Sequence, residues 1–241
     1  MKKGTLFVLG MGPGDPELIT LKAVRILGAA PVVAAFAKRG EKGYARSLAA
    51  PHLRQDAELL HFDYPITTEL PRESPAYRQT LAAFYDEAAA QLAARLEAGA
   101  DVALLAEGDP FLYGSAIPLF ARLSAAFATE VVPGVSGLGG AWARARLPIA
   151  QGAEVLSIIP ATLDAEQLAC RLRSADAAVI IKLGRHLGKV RAVLEAAGRW
   201  QNAVYVERAT MAGERILPAA ELTTEEAPYF SLLLVPSGKR R

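Results

Sequence analysis

Short apolar runs alternate with amphipathic helical patterns along most of this chain. This alternation is typical of βα units, and it predicts an α/β fold with a mostly parallel sheet. The strands are expected at residues 5–9, 31–36, 101–106, 130–132, 154–159, 177–183, 203–207 and 229–235. The last two strands are separated by residues 211–226, a segment too short and too polar to predict a helix. A second sheet that is antiparallel or mixed is therefore expected.

Two helices carry boundary signals. Thr20 is a good N-cap for a short amphipathic helix that ends near Gly28. A longer helix keeps apolar residues on one face from Tyr77 to Leu96, and Gly99 is placed to end it. The length of 241 residues fits one large α/β domain or two modest ones. We expect two domains, residues 1–118 and 119–241, with a boundary near residues 115–123.

Composition and charge exclude several classes of protein. A lone Cys170 supplies neither an internal disulfide nor a multi-cysteine metal site, which favours a reducing, cytoplasmic setting. The 27 basic and 25 acidic side chains give a net charge of +2, which argues against nucleic-acid binding. His52, His61 and His186 are scattered, so no metal site is expected. The apolar runs are too short for a membrane span, and the basic residues 239–241 are expected to form a solvated tail.

The strongest local signal is the segment GMGPGDP at residues 10–16, directly after the first predicted strand. Its alternating glycines let the backbone turn sharply and approach a ligand closely. The spacing resembles a dinucleotide-binding fingerprint, but Asp15 stands where the third glycine is expected, and Pro13 and Pro16 delay the helix. The Lys-Arg pair at 38–39 would suit NADP rather than NAD. An NADP-binding oxidoreductase and a tight turn without ligand both remain open.

Three further segments combine charged or small residues with the ends of predicted strands: AEGDPFLYGS at 106–115, VVPGVSGLGGAW at 131–142 and YVERATM at 205–211. Ligands of parallel sheets bind at the carboxyl ends of the strands, so the first segment should meet the glycine loop at one edge. Its two acids and two aromatic residues suit a polar rim on a flat hydrophobic pocket. The alternative is an Asp-Pro helix start with both aromatic residues in the core.

The motifs GMGPGDPELITLKAVRIL, AEGDPFLYGS, VVPGVSGLGGAWARARLPIA and YVERATM, in this order and at these separations, resemble the tetrapyrrole (corrin and sirohaem) methylase family. Together they span nearly the whole chain. Residues 62–67 (FDYPIT), Glu107 and residues 141–145 (AWARA) most resemble the precorrin-2 C(20)-methyltransferases of cobalamin biosynthesis. The chain departs from that pattern at residues 136–140 (SGLGG, where SSLTA is more frequent) and 64–66 (YPI, where FPM is usual).

The resemblance implies two α/β domains with five-stranded sheets, mostly parallel in the first and mixed in the second, and an active site in the cleft between them. It implies S-adenosyl-L-methionine as the methyl donor, bound folded and largely by backbone groups, with S-adenosyl-L-homocysteine as the product. It also implies a homodimer. The cofactor-binding residues carried over by motif are Pro13, Glu107, Gly108, Asp109, Leu112, Ser136, Gly137, Leu183, Ala209 and Ser231.

The implied reaction is a methyl transfer to carbon governed by orientation, for which no metal is expected. Glu107 is the first candidate for the carboxylate that stabilises the developing cation or accepts the released proton, and Asp109 is the second. Tyr113, Arg144 and Arg208 are candidate contacts for the polycarboxylate tetrapyrrole. Other basic candidates are Lys38, Arg39, Arg146 and Arg185. Cobalt-precorrin-2, uroporphyrinogen III, an RNA and a protein side chain remain alternative substrates.

Overall fold

A computed structural model describes residues 2–66 and 74–238 of the chain. Thr67, the last residue of the FDYPIT motif, and residues 239–241, the expected tail, lie outside the described residues. The chain divides into two compact units, Met1–Ser136 and Gly137–Arg241. The boundary therefore falls later than the expected 118/119, because the strand near residue 130 belongs to the first sheet.

Five strands and four α-helices lie in the described part of the first unit. The strands are β1 (Thr5–Gly10), β2 (Val32–Lys38), β3 (Glu58–Tyr64), β4 (Val102–Ala106) and β5 (Ala128–Val132). The helices are α1 (Leu21–Ala29), α2 (Tyr44–Ala49), α3 (Pro75–Glu97) and α4 (Ile117–Leu123). The sheet has the order β3-β2-β4-β1-β5, and every pairing in it is parallel. The expected "mostly parallel" first sheet is thus fully parallel.

Both faces of this sheet are covered, which explains why its central strands are nearly continuous apolar runs. On one face, Leu6 and Leu104 pack with Leu92 of α3. On the other face, Leu105 packs with Leu27 of α1. All five residues of β4 are buried, and this strand carries the EGDP segment at its carboxyl end.

The predicted helix boundaries are confirmed with small shifts. The Thr20 hydroxyl accepts the Ala23 amide at 3.2 Å and caps α1, which runs one residue past Gly28. Helix α3 begins two residues before Tyr77, at Pro75, and Gly99 has a φ of +89°, as expected of a residue that terminates a helix.

In the second unit, residues 137–238 form three α-helices and a mixed five-stranded sheet. The helices are α5 (Gly137–Arg144), α6 (Ala165–Arg173) and α7 (Leu187–Ala196). The strands are β6 (Leu156–Pro160), β7 (Ala177–Ile181), β8 (Val204–Glu207), β9 (Arg215–Pro218) and β10 (Ser231–Val235). The order is β6-β7-β10-β8-β9, with β6 and β7 parallel and the other pairings antiparallel, so the expectation of a mixed sheet is confirmed.

Arg199, which follows α7, forms hydrogen bonds with the end of α6 and the residues after it. Its guanidinium donates to the carbonyl oxygens of Leu172 at 3.1 Å, Ala175 at 3.1 Å and Asp176 at 2.7 Å. Burial lowers the pKa of this guanidinium below its ordinary value, and the nearby Asp176 opposes that shift. A planar fork that satisfies several carbonyls at once is a role that lysine fills poorly.

We predict that Arg199→Met lowers the free energy of unfolding by about 2–3 kcal/mol, because it removes charged hydrogen bonds and leaves carbonyl oxygens without a donor. Chemical denaturation followed by circular dichroism measures the change. Arg173→Met, at an exposed position at the end of α6, is the control and should change stability far less. Equal losses in the two variants would contradict this role for Arg199.

Candidate active site

Three glycines bring the carboxyl ends of β1, β4 and β5 into backbone contact. A Cβ built on Gly10 would lie 2.6 Å from the Gly134 Cα and 2.8 Å from the Gly108 carbonyl oxygen. A Cβ on Gly134 would lie 2.1 Å from that same oxygen. Such distances exclude a side chain at either position, because the nearest atoms are backbone. The glycines of three motifs therefore mark one shared edge of the first sheet. The expectation that residues 10–16 and 106–115 meet there is confirmed, whereas Gly134 was expected in the other domain.

The glycine loop turns without starting an α-helix. Gly12 and Gly108 form an isolated antiparallel bridge, in which the Gly108 amide donates to the Gly12 carbonyl at 2.9 Å. Asp15 caps a short 3-10 helix, Pro16–Leu18, by accepting the Glu17 amide at 2.9 Å, and α1 begins only at Leu21. A pyrophosphate site of the dinucleotide-binding type needs helix amides at the glycines, so this geometry disfavours the NADP alternative.

Asp109 braces the edge that the glycines form. One carboxylate oxygen accepts the Phe111 amide at 2.9 Å, and the other accepts the Gly134 amide at 3.2 Å. The first bond shapes the turn after β4, and the second ties that turn to the segment after β5. With both oxygens engaged by backbone donors, Asp109 is less suited to proton transfer than its neighbour Glu107.

Glu107 lies at the end of β4 and is accessible to solvent. Its carboxylate accepts a hydrogen bond from the backbone amide of Tyr44, the first residue of α2. Crowding by protein atoms raises the pKa of the Glu107 carboxyl above its ordinary value, and the Tyr44 bond partly offsets this. A carboxylate that is reachable yet poorly hydrated has the properties of a general base.

The remaining candidates of the first unit follow these acids along the chain. Tyr113 has a φ of +56° and leaves half of its surface exposed, so its ring is available to a flat ligand. The Leu112 amide donates to the Asp109 carbonyl at 3.4 Å, and Pro13 is buried. Phe111 is also exposed and meets Phe120 edge-on, with ring centroids 4.9 Å apart. Both aromatic residues are thus half-exposed, so the alternative in which they fill the core is wrong.

The loop after β5 ends at Ser136, and Gly137 opens α5. Unlike Gly10 and Gly134, Gly137 has no described atom within 4 Å of the Cβ it lacks, apart from its chain neighbours and its own helix. A glycine here is not required by packing within the described residues. The space beside the Gly137 backbone is therefore open to a ligand or a small side chain.

The three second-unit candidates lie at one edge of the second sheet. Strands β7 and β8 flank β10 and run antiparallel to it, so the ends of β7 and β8 lie beside the start of β10. Leu183 follows β7, Ala209 follows β8, and Ser231 opens β10 opposite Glu207. Leu183 has an exposed fraction of 1%, so any ligand contact would use its backbone.

Strained residues adjoin two of these candidates. Lys182, directly before Leu183, has a φ of +59°, and Ala209 stands between Arg208 at +49° and Thr210 at +67°. Side chains rarely adopt this conformation, and residues that do so cluster at functional sites. No sequence signal identifies these positions, because none of the three is a glycine or an asparagine.

The structure corrects the expectation that Arg144 is available to a substrate carboxylate. Its Nε lies 2.8 Å from Glu214 Oε2, and its Nη2 lies 2.7 Å from Glu214 Oε1, an ion pair with two parallel bonds. Sequence analysis missed Glu214, which stands 70 residues away in the polar segment before β9. Arg208 is exposed, and its Nη1 would lie 3.3 Å from a Cβ built on Gly213.

Within residues 2–66 and 74–238, no group of three or more histidine, cysteine, aspartate or glutamate side chains is arranged to hold a metal ion. No helix in the same part of the chain has the length and apolarity to cross a membrane.

The fold and the four strand-end motifs define a class of protein. Residues 5–223 match the family model of the Tetrapyrrole (Corrin/Porphyrin) Methylases, and the chain belongs to this family. It is 47% identical over 238 residues to a precorrin-2 C(20)-methyltransferase of Sinorhizobium sp., covering 99% of this chain and 97% of that protein.

Two other relatives extend the comparison. The cobalamin biosynthesis protein CobIJ of Mycobacterium bovis is 46% identical over 99% of this chain, which spans about half (47%) of that longer protein. The cobalt-precorrin-2 C(20)-methyltransferase of Salmonella typhimurium is 31% identical over 96% of each chain.

Solved structures agree on the fold. The methyltransferase CobJ superposes with a TM-score of 0.71 at 19% identity, covering 99% of this chain and 96% of that one. A uroporphyrin-III C-methyltransferase of Thermus thermophilus, solved with S-adenosylhomocysteine, gives a TM-score of 0.65 at 23% identity over 97% of each chain. Two five-stranded α/β units are thus the architecture of this family's structures.

We predict that Gly134→Ala destabilises the first unit by about 1–3 kcal/mol or more, because its Cβ would collide with the Gly108 carbonyl. Gly137→Ala is the matched control, since the same methyl group meets open space three residues away. Thermal unfolding of the two variants measures the contrast. Equal melting temperatures would show that the glycine contact is not needed for folding.

Proposed function

We propose that this protein is an S-adenosylmethionine-dependent C-methyltransferase that converts precorrin-2 to precorrin-3A by methylation at C(20), in cobalamin biosynthesis. The observation that carries the proposal is the 47% identity to a precorrin-2 C(20)-methyltransferase across nearly the full length of both chains. The similarity to a cobalt-precorrin-2 enzyme keeps the cobalt complex as the second candidate substrate. Uroporphyrinogen III is a more distant alternative within the family.

The proposed cofactor site uses backbone groups at strand ends. In the first unit it comprises Pro13, Glu107, Gly108, Asp109, Leu112, Ser136 and Gly137, and in the second Leu183, Ala209 and Ser231. The close glycine contacts and the strained turns support this assignment, because both expose backbone amides and carbonyls that side chains would otherwise cover. Bound S-adenosylmethionine would supply an activated methyl group on sulfur.

In the proposed mechanism, the protein orients the substrate carbon toward the methyl group and supplies a proton acceptor. Holding an enamine-like carbon in line with the methyl group can lower the barrier by about 7–11 kcal/mol without a nucleophile or a metal. As the new carbon–carbon bond forms, the methyl–sulfur bond breaks and positive charge develops on the tetrapyrrole. Glu107 is proposed to stabilise this charge and to accept the proton released from C(20).

Substrate carboxylates require exposed cations that are not held in a close ion pair with two hydrogen bonds. Because Arg144 is held by Glu214, we assign the carboxylates to Arg208 and to the exposed cations after β2, Lys38 and Arg39. Tyr113 is proposed to face the tetrapyrrole ring. Lys38 has an exposed neighbour of opposite charge, Glu41, at 3.8 Å, a separation that leaves its ammonium group largely hydrated.

We also propose a cytoplasmic homodimer. The unpaired Cys170 is exposed, which suits a reducing compartment. The exposed Phe111, Tyr113 and Ile117 provide an apolar surface on the first unit for substrate or a second copy.

The decisive test is transfer of a labelled methyl group from S-adenosylmethionine to precorrin-2 and to cobalt-precorrin-2 in parallel assays. We expect the purified protein to be stabilised by S-adenosylhomocysteine and not by NADPH, with a gain of about 2.7 kcal/mol at 100 times the dissociation constant. Differential scanning fluorimetry measures this shift. Stabilisation by NADPH alone would refute the proposal, and faster transfer to the cobalt complex would reassign the substrate.

We predict that Glu107→Gln lowers kcat at least tenfold and leaves the dissociation constant of S-adenosylhomocysteine nearly unchanged. Because a base must be deprotonated, the raised pKa of Glu107 should place the acidic limb of the rate–pH profile above the ordinary carboxylate range. This limb should vanish in the variant. Asp109→Asn is the comparison, and it should reduce thermal stability through its two backbone bonds. Full turnover by Glu107→Gln would exclude Glu107 as the base.

A further inference from the structure

One carboxylate connects three parts of the second unit. Glu214 accepts two bonds from Arg144, the last residue of α5, and its Oε2 also accepts the backbone amide of Thr210 at 2.7 Å. The Glu214 side chain is 19% exposed, whereas that of Arg144 is 56% exposed. The carboxylate is therefore the enclosed member of the pair, and the arginine covers it from the solvent side.

The amide that Glu214 holds belongs to the strained turn after β8. Arg208 enters the turn by donating its amide to the Phe230 carbonyl at 2.8 Å, and the Met211 amide closes it on the Arg208 carbonyl at 2.9 Å. Thr210, with its positive φ, lies inside the turn and is fixed by Glu214. Both chain neighbours of Ala209 are therefore hydrogen-bonded through their amides: Arg208 to Phe230, directly before β10, and Thr210 to Glu214, directly before β9.

We propose that Glu214 and Arg144 are positioning residues, which hold the turn of residues 208–211 in the shape that presents the Ala209 backbone to the cofactor. The inference rests on the proposed function, since it takes Ala209 as a cofactor contact. Glu214 acts on the turn directly through the Thr210 amide. Arg144 acts through Glu214, by fixing the orientation of its carboxylate, and does not bind the tetrapyrrole.

A second ion pair of the same chemistry provides a control. Arg95 donates through Nη2 to Glu58 Oε1 at 2.6 Å and through Nε to Glu58 Oε2 at 3.4 Å, joining α3 to β3 in the first unit. Neither residue belongs to a strand-end motif. Loss of this pair removes a comparable surface interaction without touching the turn.

The test measures cofactor and substrate binding separately. For Arg144→Met and Glu214→Met, we expect the dissociation constant of S-adenosylhomocysteine to rise about tenfold by calorimetry. The KM for the tetrapyrrole, at saturating S-adenosylmethionine, should change less than twofold. Arg144→Lys keeps one charged donor and should fall between these variants and wild type. Arg95→Met and Glu58→Gln should bind S-adenosylhomocysteine as wild type does.

A charge exchange distinguishes positioning from simple attraction. The double variant Arg144→Glu/Glu214→Arg restores opposite charges, but an arginine at 214 cannot accept the Thr210 amide. Its affinity for S-adenosylhomocysteine should therefore stay low, and full recovery would overturn the proposal. Unchanged affinity in Arg144→Met and Arg144→Lys, or a rise confined to the tetrapyrrole KM, would also overturn it. Failure of the wild-type protein to bind S-adenosylhomocysteine would instead refute the proposed function.

Discussion

The first unit depends on the approach of three strand ends with no side chain between them. Gly10, Gly108 and Gly134 come from neighbouring strands of a parallel sheet, and their backbones meet at distances that a methyl group would prevent. The contact exposes backbone donors and acceptors at the edge where parallel sheets bind ligands. Asp109 maintains it, because its carboxylate joins the turn after β4 to the Gly134 amide. The same residues therefore determine both the local packing and the chemistry available at this edge.

The second unit reaches a similar exposure of backbone groups by different means. Its turns after β7 and β8 use non-glycine residues at positive φ, a conformation that costs about 1–3 kcal/mol per residue. Such strain persists only where surrounding contacts impose it. At the turn after β8 these contacts include the Phe230 carbonyl and the Glu214 carboxylate. The strained turn after β8 is thus held by a carbonyl and a carboxylate, much as Asp109 holds the glycine edge of the first unit.

Sequence reasoning succeeded where a local rule determines the structure. The Thr20 cap, the Gly99 terminus, the buried strand 102–106 and the clustering of glycines all follow from the properties of single residues or short patterns. It missed β3 and β9, both at sheet edges. β9 has no buried residue and shows neither the apolar run nor the alternation that identifies a strand. β3 does alternate, since Leu60, Phe62 and Tyr64 are separated by His61 and Asp63, so this strand could have been predicted from its pattern.

The expected domain boundary lies too early, and the ion pair of Arg144 was not foreseen, because both depend on distant partners. Strand β5 belongs to the first sheet through its pairing with β1, which starts more than 100 residues earlier. The Arg144–Glu214 pair likewise joins residues 70 positions apart, and an isolated arginine in a helical motif gives no sign of it. Local patterns place charged side chains near a site, but whether such a charge meets a ligand or another residue depends on the tertiary structure.

Glu107 and Asp109 show how two carboxylates separated by one glycine acquire different chemistry. Gly108, with a φ of +62°, reverses the chain between them, so that the two side chains have different surroundings. Asp109 has both oxygens engaged by amides of its own edge, which fixes the group in place. Glu107 has a single backbone donor from α2, and the surrounding protein raises its pKa. Glu107, with fewer hydrogen bonds and a raised pKa, is the better proton acceptor. Asp109, with both oxygens bonded, is better suited to holding the two turns together. We therefore propose separate roles for the two acids of the EGDP motif, with Asp109 holding the edge in place and Glu107 accepting a proton.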